Sequence, residues 1–125
     1  MLNDAAETAA RIARALDDGT DGSALRAFLD YADELERHEE TGRRQLASSE
    51  PGPTGSPAWD AALAALVDFR LTEPKPSWID LPGRFLASPQ APQLDIYDLP
   101  PDLSDVPPEF LRRNVLIERR TLHSV

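Results

Sequence analysis

The stretch that most constrains the fold is residues 57–71, P-A-W-D-A-A-L-A-A-L-V-D-F-R-L, because nearly all of it is apolar. Its large side chains recur at helical spacing, and the opposite side is mostly alanine, which leaves Asp60 and Asp68 to face water. Ser56 suits the N-cap, and the two prolines in residues 73–76 end the helix. A helix that is apolar nearly all round is normally buried. We therefore predict the central helix of a small helical domain.

Two further amphipathic helices are predicted before it. Residues 4–16 begin at Asp4, which forms an acidic variant of the capping box with Glu7. Gly19, placed to adopt the left-handed conformation, ends this helix. Residues 23–39 form the second helix, with one apolar face and dense charge elsewhere. The short loop between them predicts an antiparallel pair.

The remaining segments have weaker helical signals. Residues 42–48 admit one helical turn around Leu46, and residues 48–56 have the composition of a loop. Nine of the twelve prolines fall between positions 74 and 108, so no full helix fits there. Residues 114–118, N-V-L-I-E, are rich in β-branched side chains and predict a short extended segment. Such a segment must pair with another one or pack through its apolar side chains.

The predicted fold class is therefore mainly α, with three principal helices and a largely irregular C-terminal half. At 125 residues the chain is expected to be a single domain, residues 1–125. Within it, residues 1–71 form the helical core. Residues 72–125 form a proline-rich wrapping arm and a basic tail.

Composition narrows the classes of function. The chain has no cysteine, which excludes disulfides and thiolate metal sites. Its net charge of −9 argues against binding to nucleic acid and to anionic membranes. The longest apolar run is far shorter than the ~20 residues of a membrane helix, and the start lacks the pattern of a signal peptide. A cytoplasmic protein is expected.

No pattern in the sequence points to catalysis. His38 and His123 lack the spacing of metal ligands, and the six glycines are scattered and form no phosphate-binding loop. Prolines interrupt the aspartates of residues 95–105, so no helix aligns them for acid–base chemistry. The second helix is too acidic to enter a DNA groove. We expect no catalytic residue, cofactor or metal.

An acidic segment, residues 95–109, is followed by a tail with two arginine pairs, Arg112/Arg113 and Arg119/Arg120. Arginine forks bind phosphate or carboxylate groups of partners. Alternatively, the basic tail folds back on the acidic surface of its own chain. We favour the second interpretation because a chain of charge −9 offers many internal partners.

Two stretches carry a family resemblance: T-G-S-P-A-W-D-A-A-L-A-A-L-V-D-F-R-L with P-S-W, and P-E-F-L-R-R-N-V-L-I-E-R-R-T-L-H-S-V. They resemble segments of a group of small actinobacterial proteins of poorly defined function. Such proteins are often encoded beside a nucleotidyltransferase-like toxin of the abortive-infection (AbiE/MenT-like) kind, which implies an antitoxin or accessory role. Asn114 stands where that group has glycine, and asparagine also tolerates the left-handed conformation.

The function predicted from this resemblance is a non-enzymatic protein-binding module, the antitoxin-like partner of a nucleotidyltransferase-type toxin. The acidic segment would cover the cationic nucleotide-binding surface of the toxin. Leu94, Tyr97 and Phe110 would supply the apolar contacts. The alternative is a small structural or regulatory protein that self-associates through its central helix. The predicted partner-binding residues are Leu94, Asp95, Tyr97, Asp98, Asp102, Asp105, Phe110, Arg112 and Arg113.

Overall fold

The structure is a computed structural model that describes residues 3–19, 21–94 and 98–122. These residues contain the α-helices α1 (Ala5–Asp17), α2 (Asp21–Arg37), α3 (Glu40–Ala47), α4 (Pro57–Arg70), α5 (Pro108–Leu111) and α6 (Arg119–Leu122). Single 3-10 turns lie at Ser77–Asp80, Pro82–Arg84 and Leu103–Asp105. No strand forms in the described ranges. The prediction of a mainly α fold is confirmed.

Local side-chain chemistry sets the ends of α1 and α4 as predicted. Asp4 Oδ1 accepts a hydrogen bond from the Glu7 amide at 2.8 Å, and Ser56 Oγ accepts one from the Trp59 amide at 3.3 Å. Each bond satisfies one of the amide groups that a helix start leaves unpaired. Gly19 follows α1 with a φ of 72°, the left-handed conformation expected there.

α3 is a longer helix than the one turn predicted for residues 42–48. Aromatic side chains from distant segments bond to the carbonyl groups at its end. Tyr31 Oη donates to the Leu46 carbonyl at 3.0 Å, and Trp78 Nε1 donates to the Ala47 carbonyl at 2.8 Å. Helices this short are marginal in water and depend on tertiary packing, so sequence periodicity alone underestimated α3.

α4 is the central helix, as predicted. Its residues from Ala58 to Asp68 are buried apart from Asp60, and it contacts α1, α2, α5 and the first two 3-10 turns. The prediction that Asp68 faces water is wrong, because that side chain is only 2% exposed. Asp60 is half-buried, and its Oδ1 accepts a hydrogen bond from the Thr54 amide at 2.9 Å. The C-terminal half of the chain covers the side of α4 that was expected to be polar.

A single apolar core includes residues from both halves of the chain. Ile12 of α1, Phe28 of α2, Leu63 of α4, Phe110 of α5 and Leu122 of α6 all belong to it and are fully buried. No face of α4 is left open for a second copy of the chain, because its own chain buries it. Self-association would therefore have to use another surface.

The extended segment predicted at residues 114–118 pairs with residue 90. Gln90 and Val115 form an isolated parallel bridge. The Gln90 amide donates to the Asn114 carbonyl at 2.9 Å, and the Leu116 amide donates to the Gln90 carbonyl at 2.8 Å. Val115 and Ile117 are fully buried. The segment thus pairs and packs at once, although the pairing is too short to form a strand.

Replacing Asn114 with alanine is expected to destabilise the protein by about 1–2 kcal/mol. Asn114 has a φ of 61°, where a Cβ other than that of asparagine or aspartate is strained, and its Nδ2 donates to the Leu86 carbonyl at 2.8 Å. Asn114→Gly also loses the hydrogen bond, but glycine adopts this φ without strain. Its loss of stability should therefore be smaller than that of Asn114→Ala. Urea denaturation of both variants measures the difference. Equal stability of the two would contradict the strain argument.

Candidate protein-binding surface

The buried Asp68 joins the C-terminal segment to α4. Lys75 Nζ contacts Asp68 Oδ1 at 2.6 Å, and an Arg113 guanidinium nitrogen contacts Oδ2 at 2.8 Å. Arg112 pairs with the same Oδ2. Removing two or more charges from water is costly unless they are paired and hydrogen-bonded. We call Asp68, Lys75, Arg112 and Arg113 the Asp68 anchor.

Arg113 is fully buried and links three parts of the chain. Besides Asp68 of α4, it donates to the carbonyl groups of Glu109 at 3.0 Å and Ile79 at 3.1 Å. Its guanidinium carbon lies 4.7 Å from the ring centre of Phe85. Burial lowers the pKa of Arg113 from its ordinary value, and the nearby carboxylates of Asp80 and Glu109 oppose that shift. Arginine stays charged in proteins, so this side chain holds a buried ion pair.

A cleft of about 590 Å³ opens beside the Asp68 anchor. Its lining mixes four carboxylates, two cations and two apolar side chains. Asp68, Lys75 and Arg112 on its wall belong to the anchor, in which one carboxylate pairs with three cations. Within the described ranges, no group of histidine, cysteine or acidic side chains is arranged to hold a metal ion. The lining residues are Asp68, Glu73, Lys75, Ile79, Asp80, Phe85, Glu109 and Arg112.

Residues 98–105, which we call the acidic leucine segment, carry two strongly exposed leucines. Leu99 is 86% exposed and Leu103 is 56% exposed. Leu103 begins a 3-10 turn whose start is capped by Asp102, with Oδ1 accepting from the Ser104 amide at 3.1 Å. Exposed apolar residues bordered by charge mark interaction surfaces when they are grouped. This segment is the candidate binding surface.

The structure distributes the predicted site residues between surface and core. Asp98 and Asp102 are exposed, and Asp105 and Leu94 are partly exposed. Asp95 and Tyr97 lie outside the described residues. Phe110, Arg112 and Arg113 belong to the core or to the Asp68 anchor.

Phe110 differs most from its predicted role. It is fully buried, with its ring centre 6.2 Å from that of Phe69. A partner cannot contact Phe110 or the buried Arg113 without opening the core. The surface defined above therefore omits both residues and uses Leu99 and Leu103 instead. These leucines alternate with aspartates in a proline-rich stretch that has no long helix to bury them. This pattern could have identified Leu99 and Leu103 as exposed residues from the sequence.

The tail folds back on the acidic residues of its own chain, which was the favoured interpretation of the arginine pairs. Arg112 and Arg113 pair with Asp68. Arg120 Nε lies 3.1 Å from Asp105 Oδ2, and another guanidinium nitrogen lies 3.7 Å from Asp102 Oδ2. The tail is therefore held at two places, one buried and one at the surface.

Among the helices that the structure describes, none has the length and apolar character needed to cross a bilayer.

Comparisons with known proteins identify no relative of this chain. The chain matches no protein-family model, no curated protein and no solved structure.

Proposed function

We propose that this chain is a non-enzymatic protein-binding module that docks a cationic partner protein through the acidic leucine segment. The observation that carries the proposal is the exposure of Leu99 and Leu103 between aspartates on an arm attached to the core. The module acts in the cytoplasm.

Preorganisation favours binding through this segment. The Asp68 anchor holds the chain after this segment, and Asp102 caps the 3-10 turn that Leu103 begins. A segment that is already ordered loses less conformational entropy on binding than a free one. Burying a leucine side chain fully is worth about 1.5–3 kcal/mol, so two leucines supply the main apolar contact.

Charge selects the class of partner. Asp98, Asp102 and Asp105 lie along the segment, and the whole chain carries a net charge of −9. Complementary charge speeds encounter and suppresses wrong partners. Proteins that bind nucleotides or nucleic acid carry cationic surfaces because they neutralise phosphates. Together with the family resemblance, this supports a nucleotidyltransferase-type toxin as the partner and an antitoxin-like role for the chain.

Affinity capture tests the proposal. The full-length tagged protein and a Leu99→Ser/Leu103→Ser variant are each incubated with lysate of the native source, and retained proteins are identified by mass. We expect the double variant to retain at least about tenfold less partner than the unmodified protein. A tenfold change in the dissociation constant corresponds to about 1.4 kcal/mol of binding free energy. A nucleotidyltransferase-type protein is the expected partner.

A matched control uses two other exposed leucines. Leu81 and Leu111 are 42% and 40% exposed and lie outside the acidic leucine segment. The Leu81→Ser/Leu111→Ser variant is expected to retain the partner. Equal retention by both double variants would contradict the proposal. A homodimer that only Leu99→Ser/Leu103→Ser dissociates would replace the toxin with a second copy of this chain.

A further inference from the structure

The chain already supplies a cation to its own acidic leucine segment. Arg120 Nε contacts Asp105 Oδ2 at 3.1 Å, and the Arg120 amide donates to the same oxygen at 3.3 Å. Arg120 Nε also lies 3.3 Å from Glu118 Oε2, and its guanidinium reaches Asp102 at 3.7 Å. One arginine thus contacts two of the aspartates that the proposed partner would use.

This arrangement is at the surface and can exchange. The Arg120 side chain is 68% exposed, and that of Asp102 is 53% exposed. Exposed ion pairs contribute little to stability and are screened by salt. A cation from another molecule can therefore reach the same carboxylates and displace Arg120 without opening the core.

The pKa values of these three groups shift in the directions expected for an ion pair. The hydrogen bond to Asp105 raises the pKa of Arg120. The hydrogen bonds from Arg120 lower the pKa of Asp105, and those from Ser104 lower the pKa of Asp102. All three groups are ionised near neutral pH, so the contact competes with any incoming cation by charge as well as by position.

We propose that Arg120 is an internal competitor that occupies the carboxylates of Asp102 and Asp105 until an arginine of the partner displaces it. This inference rests on the proposed function and adds its regulation. The contact lowers affinity for weakly basic proteins, because a partner must do better than a guanidinium that is already in place. A planar guanidinium fork meets that demand better than a lysine ammonium.

A comparison of two adjacent arginines tests the inference. Arg120→Gln and Arg119→Gln each remove one positive charge from the tail. Within the described part of the chain, only Arg120 of the two forms an ion pair with Asp102 or Asp105. The probe is a labelled nona-arginine peptide, and its dissociation constant for each full-length variant is measured by fluorescence anisotropy at low salt.

Arg120→Gln is expected to bind the peptide about two- to fivefold more tightly than the unmodified protein, the factor set by one exposed ion pair. Arg119→Gln should give a distinctly smaller gain. Equal gains for both variants, weaker binding by Arg120→Gln, or no binding by any variant would overturn the inference. Capture of a partner through Leu99 and Leu103 is scored separately, so failure of this inference is distinguished from failure of the proposed function.

Discussion

Replacing Asp68 with asparagine is expected to lower the free energy of unfolding by about 3–5 kcal/mol. Asparagine keeps the size of the side chain but removes its charge. The fully buried Arg113 then lacks its carboxylate partner at 2.8 Å, and Lys75 loses its own at 2.6 Å. The carboxylate of Asp80 stays near Arg113 at 3.7 Å but is itself exposed, so it offsets only part of the desolvation cost of the buried cation. Urea denaturation, followed by the fluorescence of the buried Trp59 and Trp78, measures the loss.

Asp30→Asn provides the matched control for Asp68→Asn. Asp30 also pairs with an arginine, Arg11, at 2.9 Å, but both side chains are at least one-third exposed. Such pairs are worth about 0–1 kcal/mol. If the two substitutions cost the same, the Asp68 anchor does not act as a buried ion cluster. Added salt should weaken the Asp30 pair and leave the Asp68 anchor largely unchanged.

Replacing Phe110 with alanine is expected to cost about 3–5 kcal/mol of stability, the usual penalty for deleting a buried phenyl ring. The ring lies in the common core, packed edge-on against Phe69. Its removal leaves a cavity under the C-terminal segment. Chemical denaturation measures the loss of stability, and hydrogen exchange at the Leu116 amide reports whether pairing with Gln90 loosens at the same time.

The neighbouring Leu111→Ala is the control for Phe110→Ala. Leu111 lies in the same short helix but is 40% exposed, so its truncation should cost less than about 1 kcal/mol. A Phe110→Ala variant as stable as Leu111→Ala would mean that the C-terminal segment is not part of the core. In that case the earlier assignment of Phe110 to a partner surface would regain its basis.

These two predictions also bear on binding. The acidic leucine segment lies within the wrapping arm, ahead of the anchor residues Arg112 and Arg113. Weakening the Asp68 anchor or the core beneath it frees that segment. A freer segment must be ordered again on binding, which costs affinity. Partner-binding tests should therefore use surface substitutions such as Leu99→Ser, which leave the core unchanged.

The sequence by itself determined the features that depend on neighbouring residues. Helix periodicity placed α1, α2 and α4 to within about two residues of their observed ends, and short-range side-chain bonds set the caps at Asp4 and Ser56. The positive φ values of Gly19 and Asn114 follow from the preferences of single residues.

Only the tertiary structure decided how the second half of the chain lies on the first. Asp68 looked like a solvated residue because its helix offers no partner for it, and its cations Arg112 and Arg113 come from 44 and 45 residues away. The full length of α3 depends in the same way on Tyr31 and Trp78. Periodicity reports which side of a helix is apolar, but not which distant segment covers the other side. Burial of Asp68 therefore became visible only once the path of the chain was known.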